Sequence, residues 1–529
     1  MSSLASLRRE ILLLFVLAAT IAIISASLGN FTNTTFAREK ENMVELGNEV
    51  LLDDYLHLVE DKRVGLITNH TGVNSNKESL VDVFMDDDGI NLTAVYAPEH
   101  GLDGEASAGE YVESYTHEEH DIPVFSLYGQ TREPTREMLS KVDVLLFDIQ
   151  DIGARSYTYI STLNYSMMAS EKYDVPVIVL DRPNPLGGMT VEGPVMEEEF
   201  ISFVGVDKLP KAHGMTVGEL AQFFNRKIDV DLTVIPMKNY QRNMIFQDTG
   251  LPWVQTSPNI PDLDSCFGYM ATGLGEGTGV YQADKFEWIG GKDLDSYKFA
   301  EALNQAGLEG VSFIPEDRGS AGGVRLNITD YYAFNPAKTG IYALSQAFKI
   351  GDFEVPTSDQ GNIVMFDKIM GTDQIGIGLK KELSPQEIEE KYAPELRNFK
   401  ATRKQYLLDE YQPGILVKVN ESIISFDVKP YIDDNNRVLV PLRNISEALG
   451  TFVQWEGDHQ DVIINKPGGK QIRFTIGSQI AQVNGKDKSM DTEPLIKDGR
   501  TMIPARYIGE FLEAQVDWDG QWQRVTIKY

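Results

Sequence analysis

Four short apolar runs, each closed by polar residues and a glycine or proline break, set the pattern of the N-terminal half. Val64–Thr68 runs into Asn69-His70-Thr71-Gly72, and Leu92–Tyr96 into Ala97-Pro98-Glu99-His100. Val142–Phe147 runs into Asp148-Ile149-Gln150-Asp151, and Val175–Leu180 into Asp181-Arg182-Pro183-Asn184. Nearly unbroken apolar runs of this length are expected of parallel strands covered on both faces. Between them, and on to about residue 225, lie amphipathic stretches such as Ala154–Tyr173 and Val217–Asn225. The alternation predicts βαβ units and an α/β class: a Rossmann-like, mostly parallel sheet over residues 41–225. Thr216 with Glu219 forms the capping-box spacing that opens a helix at Val217. In open α/β sheets ligands bind beyond the C-terminal ends of the strands, so four polar tips on one edge define the candidate site.

From about residue 226 the texture changes. A strand is expected over Asp231–Met237, then an irregular Ser257–Asp262, a glycine-rich 268–291 and a strand near Gly323–Thr329. A helical tail opens at Ser384-Pro385-Gln386-Glu387, with proline at the first helical position and glutamate placed to cap. This predicts a second, α+β subdomain over 226–411. Gln412-Pro413-Gly414 reads as a linker. Beyond it, Val438–Arg443 with Glu447, Leu449 and Trp455 recurs as Thr501–Arg506 with Glu510, Leu512 and Trp518, at a constant offset of 63. A duplicated β-rich module over 414–529 follows. Trp455 and Trp518 read first as core of the repeat, with stacking on sugars as the alternative.

Composition narrows the function. The 529 residues carry 48 basic and 79 acidic side chains, a formal charge of −31. Such a surface repels phosphates and anionic lipid, which argues against nucleic acid as a partner. Cys266 is the single cysteine, so neither an intrachain disulfide nor a thiolate cluster is available. Arg8-Arg9 precede the apolar run Ile11–Ile24, followed by small residues. That pattern predicts a signal peptide or N-terminal anchor over 1–40 and a secreted or cell-surface protein.

Among the strand tips, Glu99 beside His100 is the best candidate for acid–base work. Its plainer reading is a loop carboxylate holding glycine amides. Asp148 and Asp151 flank a turn at Gly153, where either could serve as a cap. Arg155 and Arg182 could hold an anionic group bidentately, or could pair with Asp151 or Asp181. Glu192 reads as a turn residue. His117-Glu118-Glu119-His120-Asp121 lacks the spacing of a zinc helix and reads as an acidic loop. The glycine run 273–279 does not follow a first βα strand, so it is a weak nucleotide signal, and no metal or cofactor is expected.

Pro98-Glu99-His100-Gly101 with Ala108-Gly109-Glu110, Asp148–Arg155 with Tyr157–Thr162, Asp181–Pro185 and His213–Glu219 together resemble the bacterial exo-β-N-acetylmuramidases. The likeness spans about residues 45–411 and includes Ser257–Pro261 and Phe366–Thr372. It implies a Rossmann-like domain carrying the site, a second subdomain closing the cleft, and release of N-acetylmuramic acid from non-reducing ends of peptidoglycan fragments. Residues 414–529 resemble the module named after copper amine oxidase N-terminal domains, which implies a wall or surface attachment role and no copper. On this basis Glu99 and Asp151 are the expected catalytic groups. Asn69, His100, Arg155, Tyr157, Asp181, Arg182, Asn184, His213 and Glu276 are the expected substrate-binding residues, with Arg155 or Arg182 on the lactyl carboxylate.

Two departures stand out. The family's Met-Glu-Ala is Met167-Met168-Ala169 here, and its Ser-Glu-Gly-Arg-Gly is Gly275-Glu276-Gly277-Thr278-Gly279. If Met168 shares a helix face with Tyr157 and points into the cleft, a catalytic carboxylate is missing, with Glu171 one turn on as the nearest replacement. The rival expectation is then a catalytically impaired surface protein that binds wall glycan.

Overall fold

Uninterrupted burial explains why the apolar runs become central strands: every residue of Val144–Asp148 and of Val177–Leu180 is buried. The computed structural model describes residues 43–529 except Gln360, Glu421 and Ser425. The export segment expected over 1–40 lies outside the described residues. Seven strands form the main sheet: β1 (Arg63–Thr68), β2 (Asn91–Ala97), β3 (Tyr115–Thr116), β4 (Pro123–Ser126), β5 (Val144–Asp148), β6 (Val177–Leu180) and β7 (Leu232–Ile235). Their order is β3-β4-β2-β1-β5-β6-β7, parallel throughout except at the β3–β4 pair. Strand β7 falls within the stretch expected to open a second subdomain. It is instead the last strand of this sheet, paired with β6 from Val177↔Leu232 to Leu180↔Ile235.

Alternate side chains leave the sheet on opposite faces. Leu66, Val95, Leu146 and Ile178 join one core cluster with Val50, Leu51 and Phe84. Ile67, Tyr96, Leu145, Phe147 and Val179 join the other, with Ile160, Leu163, Leu220 and Phe224 from helices α1 (Tyr159–Tyr173) and α2 (Val217–Ile228). Helix α2 starts as the capping box predicts: Thr216 Oγ1 accepts from the Glu219 amide at 3.3 Å and Glu219 Oε2 from the Thr216 amide at 3.0 Å. Helix α1 differs from expectation. Residues 154–158 are held in a turn, where Ala154 bridges to Ala212 and the Arg155 amide donates to Lys211 O at 2.9 Å, so the helix begins only at Tyr159.

The rest of the larger unit adds an antiparallel sheet of Val280–Ala283, Trp288–Lys292, Ala321–Ile328 and Val311–Pro315. Helices α3 (Leu263–Thr272), α4 (Pro336–Ile350) and α5 (Pro385–Thr402) pack with it, and α5 is capped by Ser384 and Glu387 as expected. Two compact units emerge: Val44–Leu416 with Trp518–Arg524, and Val417–Asp517 with Val525–Tyr529. Among the described residues no helix is long and apolar enough to cross a membrane.

The duplication is a structural two-fold. Strands Val438–Pro441 and Arg500–Pro504 pair antiparallel as Leu439↔Pro504, Val440↔Ile503 and Pro441↔Met502. Val440 and Ile503, opposite one another, are themselves 63 apart, so the repeat's symmetry passes through that pair. The tryptophans do not fill the core: Trp455 is 43% exposed and Trp518 44%. Each lies on the outermost strand of its sheet, with its indole nitrogen over Gly457 or Gly520. Leu439, Val440, Ile464, Met502, Ile503 and Ile527 supply the buried apolar residues instead.

Candidate active site

Strands β2, β1, β5 and β6 are consecutive and parallel, so their C-terminal tips share one edge; Thr68 lies opposite Asp148. Toward β6 that edge is closed by internal partners. Asp148 Oδ1 accepts from Arg182 Nε at 2.5 Å, and Asp148 Oδ2 accepts from Arg182 Nη2 at 2.8 Å and from Asn48 Nδ2 at 3.1 Å. Arg182 Nη2 also donates to Val73 O at 2.7 Å. Asp181 accepts from the Gly218 amide at 2.7 Å, the Thr216 hydroxyl at 2.8 Å and the Tyr411 hydroxyl at 2.7 Å. Burial lifts the Asp181 pKa to about 7, against the pull of the Gly218 amide. Asn184 Nδ2 donates to Met215 O at 3.0 Å, and Asn184 Oδ1 accepts from the Leu186 amide at 3.0 Å. These three residues, expected on substrate, tie the β6 loop to α2 and to β5.

Arg155 is a further correction. Its guanidinium is fully buried and donates to three backbone carbonyls, Pro194 at 2.7 Å, Leu209 at 2.8 Å and Ile369 at 2.8 Å. Among the described residues it pairs with no carboxylate, neither Asp151 nor Asp181, and three of its donors are spent on the protein. It clamps the Glu192–Val195 and Pro210–Ala212 hairpin to the helix at Met365–Met370.

Toward β2 the edge is built differently. Pro98 ends the strand, Glu99 follows, and His100 (φ 74°) and Gly101 (φ 80°) both take the left-handed conformation that turns the chain back. For histidine that conformation stores of order 1 kcal/mol of strain. His100 Nδ1 lies 2.6 Å from Ala106 O, which fixes the loop. Glu99 Oε1 accepts from the Gly109 amide at 2.8 Å, and Oε2 accepts the Thr158 hydroxyl at the N-cap of α1. Among the described residues no cation pairs with Glu99, although it is only 8% exposed.

Three tyrosines connect Glu99 to Asp151. Tyr157 meets Tyr159 and Tyr269 edge-on, with centroids 4.8 and 5.8 Å apart, and Tyr159 meets His100 at 6.4 Å. Burial raises the Tyr269 pKa to about 12, and the charges of Glu99 and Asp151 both add to the rise. Tyr157 donates to Thr256 Oγ1 at 3.1 Å and Tyr159 to Thr256 O at 2.6 Å. Asn69 Oδ1 accepts from the Thr71 amide at 3.0 Å and hydroxyl at 2.6 Å, which leaves its amide beside Tyr159.

Asp151 caps its own turn, as the plainer reading allowed: Oδ2 accepts from the Gly153 amide at 2.7 Å. Gly153 (φ 80°) is required there, since a Cβ would meet Asn184 Oδ1 at 2.4 Å. The same Asp151 oxygen faces His213 Nε2 at 3.6 Å, while Asp151 Oδ1 and His213 Nε2 are buried without a hydrogen-bond partner. His213 Nδ1 accepts from the Met215 amide at 3.2 Å, which places the proton of a neutral ring on Nε2, toward Asp151.

Residues with no sequence signal complete the surroundings. Lys211, fully buried, donates to Ser156 Oγ at 2.8 Å, and Ser156 Oγ lies 3.1 Å from the Tyr269 hydroxyl. Burial, then the neighbouring Arg155 charge, lowers the Lys211 pKa well below its ordinary value. Glu276, expected on substrate, is exposed in the loop between α3 and the strand at Val280. Met168 is 48% exposed, and Tyr157 precedes the helix, so the shared-face argument fails. Met167 and Asn164 take the inner face, and Glu171 is exposed as well. His120 pairs with Asp82 at 2.9 Å and stacks on His117.

Residues 64–264 match the family described as exo-beta-N-acetylmuramidase NamZ, N-terminal, and residues 267–408 its C-terminal counterpart. Residues 418–527 match the copper amine oxidase N-terminal domain. Over 406 residues the chain is 43% identical to the peptidoglycan beta-N-acetylmuramidase NamZ of Bacillus subtilis (strain 168), covering 74% of this chain and 96% of that one. Among solved structures, one DUF1343 family protein of Bacteroides fragilis NCTC 9343 shares 34% identity at a TM-score of 0.62, over 69% of this chain and 99% of its own. A second from the same organism shares 28% identity at 0.52, over 70% and 99%.

Proposed function

The chain belongs to the exo-β-N-acetylmuramidase family, and from that premise we propose that Glu99 is the acid–base group with which it releases N-acetylmuramic acid from the non-reducing ends of peptidoglycan fragments. One observation carries the assignment. Glu99 is the carboxylate of the shared strand edge that keeps some exposure, at 8%, and among the described residues pairs with no cation, whereas Asp148 is ion-paired and Asp181 is fully buried among its own donors. A buried carboxylate without a counter-charge can take and return a proton, whereas the oxygens of Asp148 are taken up by Arg182 and Asn48. Protonated, Glu99 gives its proton to the glycosidic oxygen as the bond to C1 breaks. As the carboxylate it then takes a proton from the attacking water.

Asp151 supplies the second carboxylate. Its Oδ1 is free to hold the N–H of the sugar's 2-acetamido group, so that the acetamido oxygen attacks C1, the substrate-assisted exception to the two-carboxylate scheme. The Gly153 amide holds the other oxygen in place, and His213 faces it at 3.6 Å. The reason to expect a catalytically impaired protein is a missing acid at Met168, and that side chain lies at the surface.

Export, supported by the Arg8-Arg9 and Ile11–Ile24 pattern, would place the enzyme with its polymer. Residues 414–529 are then its wall-attachment module. The test is digestion of purified peptidoglycan fragments with the full chain, followed by mass analysis. Free N-acetylmuramic acid, lost one residue at a time from the non-reducing end, is the expected product. Release of internal disaccharides, or of nothing, overturns the reading.

A further inference from the structure

The substrate of this reaction carries a carboxylate, on the lactyl ether at C3, and both arginines expected to hold it are occupied by the protein itself. Arg182 is spent on Asp148, and Arg155 on three carbonyls. A cation that remains available near Glu99 comes from the end of β4, a strand tip with no sequence signal. Strand β4 runs parallel to β2, with Ala97 opposite Ser126, so the residues after Ser126 emerge on the same edge as Glu99.

Tyr128 and Arg132 follow directly. The Arg132 guanidinium is wedged between two partly exposed rings, 4.2 Å from the centroid of Tyr128 and 4.2 Å from that of Phe203. Phe203 in turn meets Tyr128 at 5.9 Å and Tyr165 of α1 at 5.3 Å. Arg132 is exposed, and among the described residues no carboxylate pairs with it. The two rings and a hydrogen bond to the Tyr128 hydroxyl hold the guanidinium in place, and its remaining N–H groups can receive a carboxylate.

The group sits beside the reacting end. Burial first, and the Glu99 charge second, raise the Tyr128 pKa, while Arg132 lowers it, so the phenol lies within reach of both. We propose that Arg132, wedged between Tyr128 and Phe203, is the specificity residue that binds the lactyl carboxylate of N-acetylmuramic acid, with Tyr128, Tyr165 and Phe203 as the aromatic wall against which the sugar lies. This rests on the muramidase reading and names what makes the site selective for muramic acid over N-acetylglucosamine, which lacks the lactyl group.

The test compares wild type, Arg132→Ala and Arg132→Lys on two chromogenic substrates with one leaving group, a β-N-acetylmuraminide and a β-N-acetylglucosaminide. The binding of N-acetylmuramic acid and of N-acetylglucosamine is measured by calorimetry alongside. Removing a charge-assisted bidentate pair from a rim site weakens binding by about 10- to 100-fold. Arg132→Ala is therefore expected to raise KM for the muraminide by that factor, more than it lowers kcat. Lysine should recover part of it, and N-acetylglucosamine binding should stay as it is. Equal KM in wild type and Arg132→Ala, or parallel losses for both sugars, would overturn the assignment. If wild type hydrolyses neither substrate, the functional reading fails separately. Calorimetry then decides on its own: tighter binding of N-acetylmuramic acid that vanishes in Arg132→Ala upholds the carboxylate site, and no preference removes it.

Discussion

One sheet edge carries two kinds of polar cluster. At the β6 side, Asp148, Arg182, Asp181 and Thr216 satisfy one another completely, with Tyr411 and the Gly218 amide filling what remains. Toward the β2 side, Glu99 accepts from the Thr158 hydroxyl and the Gly109 amide, interacts with Tyr128 and pairs with no cation among the described residues. Asp151, from the loop after β5, and His213 each keep a buried polar atom without a hydrogen-bond partner. Both clusters end buried strands, and both are rich in ionisable residues. A polar strand tip therefore locates the edge, and only the state of its partners separates the half that holds the fold from the half free to do chemistry.

The largest expected effect lies on the β2 side. Glu99→Gln keeps the acceptor for Thr158 and removes the titrating oxygen, so turnover of a muraminide should fall about 10²- to 10⁴-fold. Steady-state kinetics check this, and a rate near wild type would merge the two halves again. On the β6 side, Arg182→Met leaves Asp148 buried without its cation. Losing one partner of such a pair costs about 3–5 kcal/mol, read as a lower urea midpoint.

The next effect depends on pH. Folding raises the Asp181 pKa from 3.8 to about 7, so the native state binds this proton more tightly than the unfolded chain. Its contribution to stability is complete below the unfolded value and is lost as pH rises through about 7. Wild type should therefore lose stability between about pH 4 and 7 by an amount that Asp181→Asn does not show. Identical slopes in the two proteins would place the titration elsewhere. The smallest effect belongs to Met168→Glu: at an exposed helix position it should change stability by less than about 0.5 kcal/mol and leave the rate unimproved. A clear gain in activity would bring the helix face back into the site.

How much of this the sequence discloses follows from the range of each signal. Period and burial are local, so β1, β2, β5, β6 and the capped starts of α2 and α5 are legible, as is the shared edge. The 63-residue repeat discloses the duplication, though not that its tryptophans face outward, because an edge strand and a central one share the same alternation. Partner choice is not local. Arg155 and Arg182 read as binding an anionic group or pairing with Asp151 or Asp181, because Asp148 and the carbonyls of Leu209, Ile369 and Val73, which receive them, are remote in sequence or unmarked by composition. Arg132 carries no signal because β4 is four residues long and starts with proline, too short for a periodic pattern. Helical spacing alone puts Met168 on the wrong face, because the turn at 154–158, held by the Pro210–Ala212 strand, delays the helix to Tyr159.

The division between the two halves is tested most directly by measuring rate and unfolding midpoint on the same preparations of wild type, Glu99→Gln and Arg182→Lys. Glu99→Gln is expected to lose at least about 100-fold in kcat with its urea midpoint retained. Arg182→Lys, which keeps the charge and loses the bidentate geometry, is expected to lower the midpoint while each folded molecule turns over at the wild-type rate. The reverse pattern, a stable Arg182→Lys without activity beside a fully active Glu99→Gln, would contradict the assignment of catalysis to the β2 side.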